Sequence, residues 1–247
     1  ATWDLSNVSS TYYMFNGCSA LTSDGCPTFK LSDKWTYAQH MFNGCRAITE
    51  IDTSDWTVSG LTNASSMFND CRALTTLKHS PTWDLSALTN TSYMFSGCNA
   101  LTTAGCPTLH LSDNWTNAQH MFNGCTGLTE IDTSQWTTSS LNNIEYMFSG
   151  CVALTTVNGT ATWDLPKVTT TQSMFTGCKA LTSEECPKLK LSEKWTDAQQ
   201  MFRDCTGLTE IDTSEWTVSS LTTAEQMFNG CSALTSLNPT ATCTRSG

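Results

Sequence analysis

"TSYMFSGCNALT", residues 91–102, sets a Met-Phe pair just ahead of a cysteine and then runs into Leu-Thr. Nearly the same string stands at 9–22 as "SSTYYMFNGCSALT", at 38–49 as "AQHMFNGCRAIT" and at 64–75 as "ASSMFNDCRALT". Every methionine of the 247-residue chain belongs to such a pair, and successive pairs lie 27, 26, 27, 27, 26, 27, 27 and 26 residues apart. A fixed period of this length marks a repeat architecture. The nine units group into three 80-residue blocks, 1–80, 81–160 and 161–240, which open with "ATWDL", "PTWDL" and "ATWDL". Residues 241–247 read as a truncated next unit or a tail, and the whole chain 1–247 as one solenoid domain of nine coils.

A unit of 26–27 residues cannot bury its own apolar side, but stacked units share a continuous core. Each invariant position then becomes a ladder. Cysteine stands four residues after every Met: Cys18, Cys45, Cys71, Cys98, Cys125, Cys151, Cys178, Cys205 and Cys231. Ala or Gly follows at six, Leu or Ile at seven and Thr at eight, from Thr22 to Thr235. The fixed small residue implies close backbone approach in every coil. "ALTTL" and "LTEIDTS" alternate as strands do. The polar stretches before Met, such as "TNAQHMFNG", predict a short helical or 3₁₀ turn instead of a second long strand. Nine coils at the strand spacing of ~4.8 Å predict a rod on the order of 40 Å long. Each coil keeps one Trp. In the middle units Lys30, His110 and Lys190 occupy the place of Trp3, Trp83 and Trp163, and Trp35, Trp115 and Trp195 follow five residues later.

Composition excludes several function classes. A net charge of −10 with twelve scattered Lys and Arg argues against nucleic acid, which needs clustered cations. The apolar runs are too short to span a bilayer. The chain opens on Ala1 without a signal peptide and reads as a mature or excised piece of something longer.

These repeats, best displayed by "TWDLSALTNTSYMFSGCNALTTA" at 82–104, resemble the BspA-type, leucine-rich-repeat-like tandem repeats of bacterial surface proteins and lipoproteins. The resemblance covers residues 1–240. It departs from that pattern where Thr, Ala or Ile stands three residues before each Met, and where the middle units lose the Trp-Asp start. It implies a right-handed, leucine-rich-repeat-like solenoid with a parallel β-ladder of short strands, an all-β parallel β-helix being the alternative. It also implies display outside the cell and a role in adhesion, with an extracellular protein or glycan as partner.

The nine ladder cysteines are expected to be buried, reduced thiols, because a free Cys behaves as a small apolar residue and nine equivalent copies argue for packing. Cys26, Cys106 and Cys186, one per block, leave open a bond to a neighbour such as Cys18; Cys243 reads as free. Metal spacing is lacking for zinc. The pairs Glu50 with Asp52, Glu130 with Asp132 and Glu210 with Asp212 face one way from a strand and read as a solvated edge in preference to a calcium site. His40, His79, His110 and His120 assemble no catalytic set, and five sequons, at Asn7, Asn63, Asn90, Asn114 and Asn158, matter only in a eukaryotic source. No cofactor and no enzymatic activity are expected. The threonine column raises ice binding as a minor alternative. The residues just before Met-Phe vary between blocks, so Tyr12, Tyr13, Tyr93 and Tyr146 are the candidate binding residues. The leading reading is a non-enzymatic extracellular binding module; the alternative is a structural subunit whose copies stack end to end.

Overall fold

In a computed structural model, residues 1–78, 82–158 and 162–238 are described; His79, Cys243 and the tail at 241–247 lie outside them. The chain winds as a β-solenoid of parallel three-residue strands. β1 (Thr2–Asp4) pairs with β2 (Thr28–Lys30), and β3 (Glu50–Asp52) with β4 (Thr76–Lys78). Block two repeats this with β5 (Thr82–Asp84), β6 (Thr108–His110), β7 (Glu130–Asp132) and β8 (Thr156–Asn158). Block three does so with β9 (Trp163–Leu165), β10 (Leu189–Leu191), β11 (Glu210–Asp212) and β12 (Ser236–Asn238). The strands thus form two columns, one before each Met and one after it. Each column loses its strand in one coil of every block.

The registers correct one expectation. Trp3 lies beside Phe29, Trp83 beside Leu109 and Trp163 beside Leu189, so Lys30, His110 and Lys190 are partners of Asp4, Asp84 and Asp164. Counting from Met misplaces them by one, because the extra residue of a 27-residue unit falls between strand and Met. The true register keeps an apolar side chain inside and sets a basic side chain abreast of a carboxylate outside: Lys190 Nζ is 3.6 Å from Asp164 Oδ1, and His110 Nδ1 is 3.5 Å from Asp84 Oδ1. A one-residue slip would reverse both faces.

Around Met-Phe the chain does turn, but by a different device from the helical or 3₁₀ turn expected. The residue before each Met has φ between 53° and 58°, and the Gly or Asp three after it between 58° and 79°. N–H groups alternate in direction. Those of Met41, Asn43 and Cys45 bond within the coil, to Ala38, His40 and Phe42; those of Ala38, His40, Phe42 and Gly44 bond across to Asn63, Ser65, Met67 and Asn69. A helix would keep every bond inside its own coil; alternation satisfies the same groups while tying coils together. The one 3₁₀ turn among the described residues, Thr103–Gly105, lies elsewhere.

The interior is a set of columns. Phe15, Phe42, Phe68, Phe95, Phe122, Phe148, Phe175, Phe202 and Phe228 stack nearly parallel, 5.4–5.5 Å apart across 27-residue steps and 5.9 Å across 26-residue steps. The Met, Cys and Leu or Ile columns beside them are fully buried in the central coils. Side chains of this size stabilise by about 1.5–3 kcal/mol each when buried. Close approach at the small-residue position is evident: a Cβ on Gly127 would lie 2.9 Å from the Leu101 carbonyl oxygen.

Candidate ligand-binding face

The left-handed backbone just before each Met aims the side chains along one column, in which Tyr13 is exposed, His40, Tyr93, His120 and Tyr146 are half-buried, and Ser66 and Ser173 are buried. Tyr13 and the His40 imidazole stack at 4.5 Å with planes 4° apart; Tyr93, His120 and Tyr146 continue the arrangement at 4.4 and 4.5 Å. Burial against these rings pushes the imidazole pKa of His40 and of His120 down, so both are neutral near pH 7. Tyr12 lies edge-on to Tyr13 at 4.3 Å and perpendicular to it, so it does not join the stack.

The four predicted tyrosines are therefore not equivalent. Tyr12, 57% exposed, and Tyr13 face solvent, whereas Tyr93 and Tyr146 are half-buried in the ring stack. Sequence reading missed Tyr37, 49% exposed and paired backbone to backbone with Ser10 in the coil of Tyr12. It also set aside His40 and His120, which assemble no catalytic set. Their signal was the shared column: an aromatic ring one residue before Met at 13, 40, 93, 120 and 146. Asn63, Asn90, Asn117 and Asn143 accept the backbone N–H two residues on; this turn presents the ring-bearing position.

The other columns bond from coil to coil. All twelve described cysteines are free, Cys18 and Cys26 included. From Cys45 to Cys231 each ladder thiol donates to the Phe carbonyl oxygen of the preceding coil at 2.9–3.1 Å. Burial pushes Cys45 and Cys151 up to about 12, Cys26 up to about 11, and Cys106 and Cys186 up to about 12, so none is an activated nucleophile. Four of the threonine hydroxyls bond along the ladder: Thr75, Thr102, Thr155 and Thr235 donate to the carbonyls of Thr49, Thr75, Thr129 and Thr209. Among the described residues no three His, Cys, Asp or Glu are grouped to hold a metal ion. The acidic strand edge instead meets cations: Lys78 pairs with Glu50, and Lys188 Nζ is 3.4 Å from Asp212. No helix among the described residues is long and apolar enough to cross a membrane.

The family described as "Mycoplasma protein of unknown function, DUF285" matches at residues 1–109, 82–185 and 156–239, along the repeats that carry the BspA-type resemblance. No curated protein matches the chain. Among solved structures, a leucine-rich repeat protein from Bacteroides ovatus ATCC 8483 is 17% identical, covering 97% of this chain and 73% of its own, with a TM-score of 0.34. A leucine rich cell surface protein from Faecalibacterium prausnitzii A2-165 is 15% identical, covering 98% and 84%, with a TM-score of 0.28.

Proposed function

The chain belongs to the DUF285 family, and on that footing we propose that it is a non-catalytic, extracellular repeat module that binds a glycan or protein ligand through the tyrosine-bearing face of its turn ribbon. One observation carries this reading: an invariant scaffold presents a strip of residues free to differ, and exposed Tyr12, Tyr13 and Tyr37 cluster on it. A tyrosine supplies a large apolar face and a polar tip at low entropic cost, which is why it dominates recognition surfaces. Free thiols sit easily with an extracellular setting only when oxidants cannot reach them, and the central ladder thiols are buried.

The test is a glycan array, with immobilised extracellular-matrix proteins alongside, probed with the 247-residue chain and with the double variant Tyr12→Ser, Tyr37→Ser. At least one ligand should bind and lose ten-fold or more in affinity in the variant, at unchanged melting temperature. Absence of any binder, or equal binding by the variant, overturns the reading.

A further inference from the structure

The strand column that follows each Met is interrupted once per block, where a loop bearing Cys26, Cys106 or Cys186 replaces a strand. At the second and third interruptions the replaced rung borders a cavity. The cavity beside residues 183–189 has a volume of about 750 Å³, and its counterpart 80 residues earlier about 240 Å³. Equivalent residues build both: Phe122 or Phe202, Ile131 or Ile211 and Trp136 or Trp216 form an apolar floor, with Asp132 or Asp212 at the rim. Asp132 and Asn158 border both, so the cavities adjoin along the solenoid.

We propose that these cavities are binding sites for primary alkylammonium groups. The first argument is the lining. An aromatic and aliphatic floor under a carboxylate rim suits a cation on an apolar stem, which buries its methylenes and keeps its head at the acids. Around the larger cavity Asp132, Glu184, Glu185, Glu210 and Asp212 outnumber Lys188. Its volume is that of ordinary small-ligand sites.

The second argument is independent and comes from the chain itself. In block one Lys78 lays its own ammonium on Glu50 of the acidic strand. The position 80 residues on is Asn158, whose neutral amide donates to Glu130 at 3.1 Å. Lys188 supplies an ammonium to Asp212 in block three, and its block-two counterpart is Thr108. The block-two rim thus keeps the carboxylates of the other blocks while both lysine positions are neutral. Sites three coils apart lie about 14 Å from one another, close to the ~13 Å between side chains four residues apart in an extended chain. Both a free polyamine and lysines on an extended protein segment carry this chemistry.

Calorimetric titration of the 247-residue chain with spermidine, and separately with a Lys-Ser-Ser-Ser-Lys peptide, decides the matter. Binding should weaken at least ten-fold in Asp132→Asn and vanish in Asn158→Lys, which installs the block-one arrangement. It should stay within two-fold in Asp33→Asn, an exposed acid away from the cavities. Tighter spermidine binding assigns a free polyamine; tighter peptide binding assigns protein lysines. The proposal is overturned if neither probe binds, if Asn158→Lys binds as before with an unchanged melting curve, or if Asp33→Asn weakens binding as much as Asp132→Asn, which would mean diffuse attraction to an acidic chain. The site goes beyond the tyrosine face: the Tyr12→Ser, Tyr37→Ser variant should bind both probes unchanged, so failure of either reading is told from failure of the other.

Discussion

The thiol of Cys71 donates to the backbone carbonyl oxygen of Phe42 at 3.1 Å, and that same oxygen accepts the backbone N–H of Cys45. One carbonyl, with two lone pairs, therefore closes a turn in its own coil and holds the next coil down. A side chain that is small, apolar in bulk and still a donor fits this place, and Cys alone combines the three.

Cys71→Ala should accordingly cost about 1–2 kcal/mol, from a lost hydrogen bond and a small void. Cys18→Ala, at an exposed position, should stay within about 0.5 kcal/mol. Urea unfolding of the two variants beside the parent checks the contrast.

Alkaline pH should unfold the solenoid. Burial raises the thiols of Cys45 and Cys151 to about 12 and those of Cys71, Cys125 and Cys178 well above the ordinary 9.0. The unfolded chain loses these protons near pH 9 while the native chain holds them. Stability from this source is complete below about pH 9 and drains as pH rises toward 12, by about 1.4 kcal/mol per pH unit for each thiol. Several act together, so melting temperatures recorded from pH 8 to 11 should fall steeply above 9. Replacing Cys125 and Cys151 by Ala should flatten that slope.

Two indoles whose N–H groups are buried should answer differently to the same change. Trp115 Nε1 donates to the Thr91 hydroxyl at 2.9 Å, whereas Trp136 Nε1 is buried without a partner among the described residues. Phe in place of Trp115 removes a satisfied bond and leaves the buried Thr91 hydroxyl only its own donation to the Asn117 carbonyl at 3.1 Å, at an added cost of about 1 kcal/mol. At Trp136 it removes an unsatisfied donor, and that gain offsets part of the lost packing. Trp115→Phe should therefore be the more destabilised in thermal melts.

Two glycines should separate conformation from crowding. Gly124 has φ +72°, and a Cβ there would be 3.9 Å from its nearest neighbour. Gly124→Ala should thus cost only the left-handed penalty, about 1–2 kcal/mol. A Cβ on Gly105 would fall 2.0 Å from the Thr75 carbonyl oxygen, and a backbone atom cannot yield as a side-chain tip can. Gly105→Ala should cost about 4 kcal/mol or more, measured by the same unfolding assay.

The repeated Met-Phe-x-x-Cys string was enough to read off the period, the interior columns and the strands at "LTEIDTS" and "ALTTL". Each of those rests on contacts between identical positions one coil apart, so a periodic sequence encodes them directly. Tyr12 and Tyr13 were found the same way, as the residues allowed to vary. What the string did not reveal is that Tyr, His and Gln could occupy left-handed positions one before each Met, since in most chains such residues avoid that conformation. Hence the ribbon read as a helical turn, and Tyr93, His120 and Tyr146 did not read as one stack.

Sequence by itself determined a nine-coil parallel solenoid with a ladder of thiols, phenyl rings and one indole per coil, because repetition multiplies each local preference nine times over. Only the tertiary structure decided that Lys30 faces Asp4 instead of replacing Trp3, and that one block supplies its own Lys78 to Glu50 while Asn158 stands neutral beside a cavity. Those outcomes depend on where the odd residue of each 27-residue unit is absorbed and on which coil gives up its strand. Both follow from the path of the backbone between columns, and a count along the chain does not carry that path.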